Sequence, residues 1–174
     1  MGLQHAVPGE PHGVHHAVRT DGDDAVGVAE RDRLVAELAG GEANVAPLAK
    51  QNLQARIRGA MMLNWANSAG GLQLVTSNLS EAAVGYTTTG GDNEGGFSPI
   101  NNLPKTLVSR LLAYIAERDN IQSLKKVLAI PPSAELAPDQ EDEKDLMPYV
   151  VLDDLLYLYA RKRLSLADCW RVLC

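Results

Sequence analysis

The stretch VTSNLSEAAVGYTTTGGDNEGGF, residues 75–97, holds the side chains with the clearest chemical potential. Thr76 and Ser77 close an apolar run, Glu81 follows them, and Asp92 sits among glycines. In open α/β sheets ligands collect beyond the carboxyl ends of strands, where helix N-termini add positive potential. Hydroxyls at that edge can meet a ribose or a phosphate. A lone carboxylate beside them suits Mg²⁺, which keeps several waters and takes one or two protein oxygens. A purely structural alternative exists: Ser77 or Ser80 caps a helix and Glu81 favours its first turn.

Three further segments carry candidates. In NNLPKT, Lys105 lies behind Pro104 at the start of a helical pattern, where its ammonium can hold phosphate oxygens as a point charge. In QARIR, Arg56 and Arg58 point in different directions. One can therefore reach an anion while the other stays in solvent. PPSAEL is a rigid extended corner with a single hydroxyl, Ser133. Taken singly, each also reads as a cap, a solvated lysine or a surface ion pair.

The elements that must position these residues are mostly helical. ERDRLVAELAG puts Leu34, Val35 and Leu38 on one face, and LAKQNLQARIRGAMMLNWANSAGG spaces Leu53, Ile57, Met61 and Trp65 by fours. Ser68 and Gly70 end that second helix. LQLVTS suits a buried strand, and NLSEAAVGY one or two helical turns. TTTGGDNEGGFSPINNLP is a long glycine-rich loop, of a kind more often functional than idle. PKTLVSRLLAYIAERDN restarts a helix with Leu107, Leu111 and Ile115 in register. PPSAELAPDQEDEKDLMP is rich in proline and acid, so it is expected to wrap rather than pack. YVVLDDLLYLYARKR reads as one helix, and SLADCWRVLC as another opened by Ser165 with a capping-box-like pattern. A lone strand cannot satisfy its own backbone groups. The inventory therefore predicts either a helical domain or part of a larger α/β domain.

Composition narrows the class. The 174 residues fit one domain, 45% of them hydrophobic, with aromatics at only 5%. A net charge of −6, from 16 basic and 22 acidic side chains, argues against non-specific nucleic-acid binding. Cys169 and Cys174 are spaced neither as a metal pair nor as a redox motif. No run of the roughly 18 apolar residues needed for a membrane span is present. Nor is there the apolar stretch of a secretory signal. A cytoplasmic protein is expected. Residues 1–30 hold every histidine (His5, His12, His15, His16) and an acidic cluster, without helical or strand period. They are expected to be a disordered leader, and their histidines supply no fixed metal-ligand set.

In order and spacing, QNLQARIRG, TSNLSEAAVGY, GGDNEGGFSPINNLPKT, PPSAELAPDQ and YVVLDDLLYLY together resemble the ligase domain of NAD synthetase. GGFSPI and PPSAELAPDQ resemble its glutamine-dependent branch more than the shorter ammonia-dependent one. The resemblance runs from about Arg31 to Cys174. It implies an α/β fold, part of a Rossmann-like domain of the adenine-nucleotide alpha-hydrolase type, helix-rich here with few strands. Residues 31–174 would be the C-terminal half of that domain, truncated at both ends.

The implied activity is ATP-dependent amidation of deamido-NAD to NAD through an acyl-adenylate, with nitrogen from ammonia or glutamine. No protein nucleophile is implied. By the resemblance Thr76, Lys105 and Ser133 would bind ATP, Glu81 would bind Mg²⁺, and Arg56 and Asp92 would serve deamido-NAD; Arg58 receives no role. A homodimer is the family's usual assembly, with neither nucleic acid nor membrane as partner. Departures exist. Thr89 and Gly96 stand where some ammonia-dependent members carry Lys and Asp, and the SGG-x-DS pyrophosphate loop is missing, SAGG at 68–71 being no substitute. This chain alone is accordingly expected to turn over slowly or not at all. Two other readings compete: a non-catalytic remnant that only self-associates, and another ATP pyrophosphatase such as a GMP synthetase, which fits neither GGFSPI nor PPSAELAPDQ.

Overall fold

A computed structural model describes residues 21–40, 44–137 and 139–174. The helices are α1 (Asp21–Ala39), α2 (Pro47–Ala69), α3 (Leu79–Val84), α4 (Lys105–Arg118), α5 (Gln122–Leu128), α6 (Asp142–Asp145), α7 (Tyr149–Leu156) and α8 (Leu166–Leu173). A π-helical segment, Tyr157–Arg161, prolongs α7. Helix α7 packs on α3, α4 and α8, while α1 lies on α2 and α5 on α4. The segment 21–30, expected in the leader, is the first half of α1. All four histidines lie outside the described residues.

Helix ends follow their local chemistry. Pro47 opens α2, where a missing N–H costs nothing. Gly70 closes it with φ 64°, a left-handed cap that glycine adopts without a Cβ penalty. Ser165 caps α8, its hydroxyl accepting from the Asp168 N–H. Asn78, rather than either flanking serine, caps α3.

The apolar stripes behave differently from expectation. On α2 the buried residues are Gln54, Ala55, Gly59 and Ala66, whereas Met61 and Trp65 are each 45% exposed. Leu38, Leu107 and Leu111 are likewise exposed, and Val35 and Ala116 are buried instead. On α2 the cause is close backbone approach: Ala55 and Gly59 meet the backbone of the glycine-rich loop, and that contact leaves the larger side chains outside it. Helix α5, a short element with no strong period, was not anticipated at all.

LQLVTS does not form the expected buried strand. Among the described residues its pairing is one parallel bridge, Leu74 to Phe97, supported by Val75 N–H to Phe97 O at 2.8 Å and Gly96 N–H to Gln73 O at 3.0 Å. Val75 points inward, but Leu72 and Leu74 stay exposed, because a single neighbour covers only one side of the segment.

Gly59 and Gly91 bring α2 against the glycine-rich loop. A Cβ on Gly59 would stand 2.9 Å from Gly90 O and 3.0 Å from Gly91 O; one on Gly91 would stand 2.9 Å from Ala55 C. All of these are backbone atoms, which cannot rotate aside. Gly59→Ala is expected to cost about 1–3 kcal/mol through overpacking. Urea unfolding checks this, and a loss well under that range would mean the loop moves freely away from α2.

Candidate functional site

At the seam between α2, the start of α3, the start of α4 and the 131–142 segment lies a cleft of about 300 Å³. Its walls include Arg58, Thr76, Ser77, Glu81, Tyr86, Asp92, Lys105, Ser133 and Asp142. Five of the six residues to which the resemblance gives a role therefore meet in one place. Arg56 is the exception. It is exposed, and its Nε donates to Thr89 O at 3.1 Å, bracing the loop from outside.

Glu81 satisfies the structural and the chemical readings at once. It is the third residue of α3 in a reciprocal capping box: its N–H donates to Asn78 Oδ1 at 3.0 Å, and its Oε2 accepts from Asn78 N–H at 3.1 Å. That pairing fixes the rotamer and turns Oε1 into the cleft, where Lys105 Nζ donates to it at 2.8 Å. Lys105 Nζ also lies over the Tyr149 ring, 5.2 Å from its centre.

The start of α4 is held by a device that sequence does not reveal. Pro104 precedes the helix and offers no side-chain cap, so the first N–H groups need partners from elsewhere. Lys105 N–H donates to Ser80 Oγ at 2.8 Å, and Thr106 N–H donates to Asp153 Oδ2 at 2.9 Å. Thr106 Oγ1 donates to the same oxygen at 2.7 Å, and Ser80 Oγ donates to Asp153 Oδ1. A carboxylate on α7 thereby caps α4 and ties it to α3, which sets Lys105 opposite Glu81.

Asp92 shapes the glycine-rich loop. Its Oδ2 accepts from Thr88 N–H at 3.0 Å, and its carbonyl accepts from Ser77 Oγ at 3.4 Å. Across the cleft, Arg58 donates to the carbonyls of Ala134 (3.4 Å) and Glu135 (2.9 Å), anchoring the corner that presents Ser133. The resemblance gives Arg58 no role, and of the two arginines it is Arg58 that forms a wall of the cleft.

The segment expected only to wrap instead supplies a buried acid. Asp142 N–H donates to Pro132 O at 2.9 Å, and Asp142 Oδ2 accepts from Tyr149 OH at 3.0 Å. Burial raises the Asp142 carboxyl above its ordinary range, with the Tyr149 hydroxyl and the Lys105 charge opposing it. Asp142, Tyr86 and Tyr149 were missed in an acid-rich stretch and a helical run that read as solvent and core; nothing local marks them.

Burial, then the nearby acids Asp145 and Asp142 respectively, raise the Tyr86 and Tyr149 hydroxyls well above their ordinary 10.0. A raised value in the folded chain means that the folded state favours the phenol. The associated stability is intact below the ordinary value of 10.0 and is lost as pH rises beyond it. Tyrosinate absorbance from these two rings is expected only as alkali unfolds the chain. Tyr86→Phe and Tyr149→Phe should each remove part of that late step; ionisation of either ring in the folded protein would contradict the packing.

No described helix is long and apolar enough to cross a membrane. The model of the NAD synthase family matches residues 24–170. The glutamine-dependent NAD(+) synthetase of Aquifex aeolicus is 46% identical over 120 residues, 68% of this chain and 21% of that protein. Among solved structures, the glutamine-dependent NAD(+) synthetase of Cytophaga hutchinsonii aligns with a TM-score of 0.64 at 25% identity, over 83% of this chain and 23% of that one. That of Acinetobacter baumannii, in complex with adenosine diphosphate, aligns with a TM-score of 0.50 at 30% identity, over 83% and 24%. The fold expectation is met: these neighbours share the α/β architecture of which the helix-rich part is described here. The chain spans about a fifth of the length of its curated relatives.

Proposed function

This chain belongs to the NAD synthase family, and from that premise we propose that its cleft is part of an ATP- and Mg²⁺-dependent ligase site that amidates deamido-NAD to NAD. The observation that carries the reading is the convergence of Thr76, Glu81, Asp92, Lys105 and Ser133, drawn from four separate segments, on one polar cleft. A relative with adenosine diphosphate bound supports a nucleotide as occupant.

In the proposed reaction a carboxylate oxygen of deamido-NAD attacks the α-phosphorus of ATP and pyrophosphate leaves. Ammonia, free or derived from glutamine, then adds to the acyl carbon of the resulting acyl-adenylate; the acyl–oxygen bond breaks, AMP leaves with that oxygen and its electron pair, and the nitrogen gives up one proton to leave the amide. Lys105 places a positive charge where phosphate oxygens gain charge in the first step. Thr76 and Ser133 donate hydroxyl hydrogen bonds that orient the nucleotide. Asp92 shapes the loop that faces deamido-NAD, and Arg56, outside the cleft, offers its guanidinium to that dinucleotide's anionic groups.

The donor set fits Mg²⁺. Carboxylate and hydroxyl oxygens are hard ligands, and Asp142 Oδ1 is buried in this wall without a hydrogen-bond partner. Glu81 would hold the ion, which when bound neutralises phosphate charge as a Lewis acid. A cytoplasmic location accords with these substrates.

Calorimetric titration of the chain with ADP and Mg²⁺ tests the reading. Saturable binding that deamido-NAD leaves intact or strengthens is expected, and heat-silent titration into the millimolar range would refute it. The exposed apolar residues of α2 and α4, such as Met61, Trp65, Leu107 and Leu111, favour a second reading, self-association alone or as the family's homodimer. Sedimentation in the same buffer separates the two: assembly without nucleotide binding supports a non-catalytic role.

A further inference from the structure

Three carboxylates (Glu81, Asp92, Asp142) line the cleft against two cations (Arg58, Lys105). An anionic ligand entering it meets a net negative wall. One of those carboxylates is also incompletely used: Asp142 is only 4% exposed, Tyr149 OH occupies Oδ2, and Oδ1 has no hydrogen-bond partner. A buried acceptor left so is costly unless an incoming group satisfies it. Glu81 Oε1, on the same wall, is meanwhile covered by the Lys105 ammonium at 2.8 Å, a contact that leaves the lysine turned towards protein rather than ligand.

We propose that Glu81 and Asp142 together form a divalent-cation site in which the Lys105 ammonium is the stand-in occupant. A metal ion entering the cleft displaces Lys105 from Glu81, takes Asp142 Oδ1 as a further ligand and releases the ammonium to the anionic ligand. The inference rests on the nucleotide reading of the cleft and adds to it a second metal-binding residue and an order of events. Oxygen ligands from two carboxylates with the remaining positions left to water suit Mg²⁺, and Mn²⁺ is its spectroscopic substitute. The capping box survives the exchange, because Glu81 holds Asn78 through Oε2 and not through Oε1.

The test is Mn²⁺ binding to the whole 174-residue chain without nucleotide, read from the paramagnetic signal of the free ion. Wild type is expected to bind one ion at this site. Asp142→Asn and Glu81→Gln should each weaken it by at least about tenfold, the loss that removing even a group behind the ligands brings. Lys105→Met should tighten it severalfold, because the competing cation is gone. Absence of binding in wild type, an Asp142→Asn variant that binds as wild type does, or a Lys105→Met variant that binds no more tightly would each overturn the proposal. If Lys105→Met fails to fold, the wild-type Lys105 side-chain resonances decide: Mg²⁺ should shift them, and unmoved resonances would overturn it. A parallel ADP titration keeps the two readings apart. ADP binding with the wrong metal pattern sinks only the exchange, whereas the right metal pattern without ADP binding sinks only the nucleotide.

Discussion

Lys105→Ala is expected to weaken ADP binding by about ten- to a hundredfold, the largest effect on ligand affinity from any single change in the cleft. A hydrogen bond to a charged group contributes about 1.5–3 kcal/mol when its partner is present, and the proposed phosphate contact is of that kind. The fold itself should change little. The Lys105–Glu81 pair is partly open to water, with side-chain exposures of 22% and 16%. An exposed ion pair contributes about 1 kcal/mol or less, and this more enclosed one somewhat more. Glu81 also keeps its place in the variant, because the capping box does not involve the lysine. Calorimetry on wild type and variant, paired with urea unfolding, reads both quantities. Unaltered ADP affinity in Lys105→Ala would remove the lysine from the phosphate site.

Asp153→Ala is expected to lose about 2–4 kcal/mol of stability, the largest structural effect. Removing the carboxylate strands three donors at once: Ser80 Oγ, Thr106 N–H and Thr106 Oγ1. Each unsatisfied buried donor costs about 1–3 kcal/mol. The half-buried position of Asp153 admits some water, which keeps the total below the simple sum. For a chain of this size that corresponds to a melting temperature lower by roughly 5–15 °C. Asp153→Asn keeps one acceptor and should recover part of the loss. Because Asp153 fixes α4 against α3, the alanine variant should also bind ADP more weakly although it touches no ligand. Thermal unfolding within a degree or two of wild type would show that α4 needs no cap from α7.

The cleft was more legible in the sequence than the packing. Thr76, Glu81, Asp92, Lys105 and Ser133 each sit beside a local signal, a cap, a glycine run or a proline, but singly each also reads as a structural group, and only the resemblance carried by the order and spacing of their motifs marks them as one site. Gly70, Ser165 and the capping box at Glu81 follow from the same short-range rules. Asp153 was illegible because its partners Ser80 and Thr106 lie far from it in the chain, and a doubled aspartate in VVLDDLL reads as a solvated face. Asp142 was hidden by its acidic neighbours, since only the tertiary contact with Tyr149 distinguishes it from them. Periodicity misled at α2, where Met61 and Trp65 form a clear stripe yet the contact is made by Ala55 and Gly59. A hydrophobic period tells which residues share a face but not which face meets the neighbour.

Solving the chain with ADP and Mn²⁺ bound, and locating the ion by its anomalous scattering, is the most direct measurement. The account predicts the diphosphate in the cleft, contacted by Lys105, Thr76 and Ser133, with the ion on Glu81. A nucleotide seated on any other surface, with those four side chains free of it, would contradict the account.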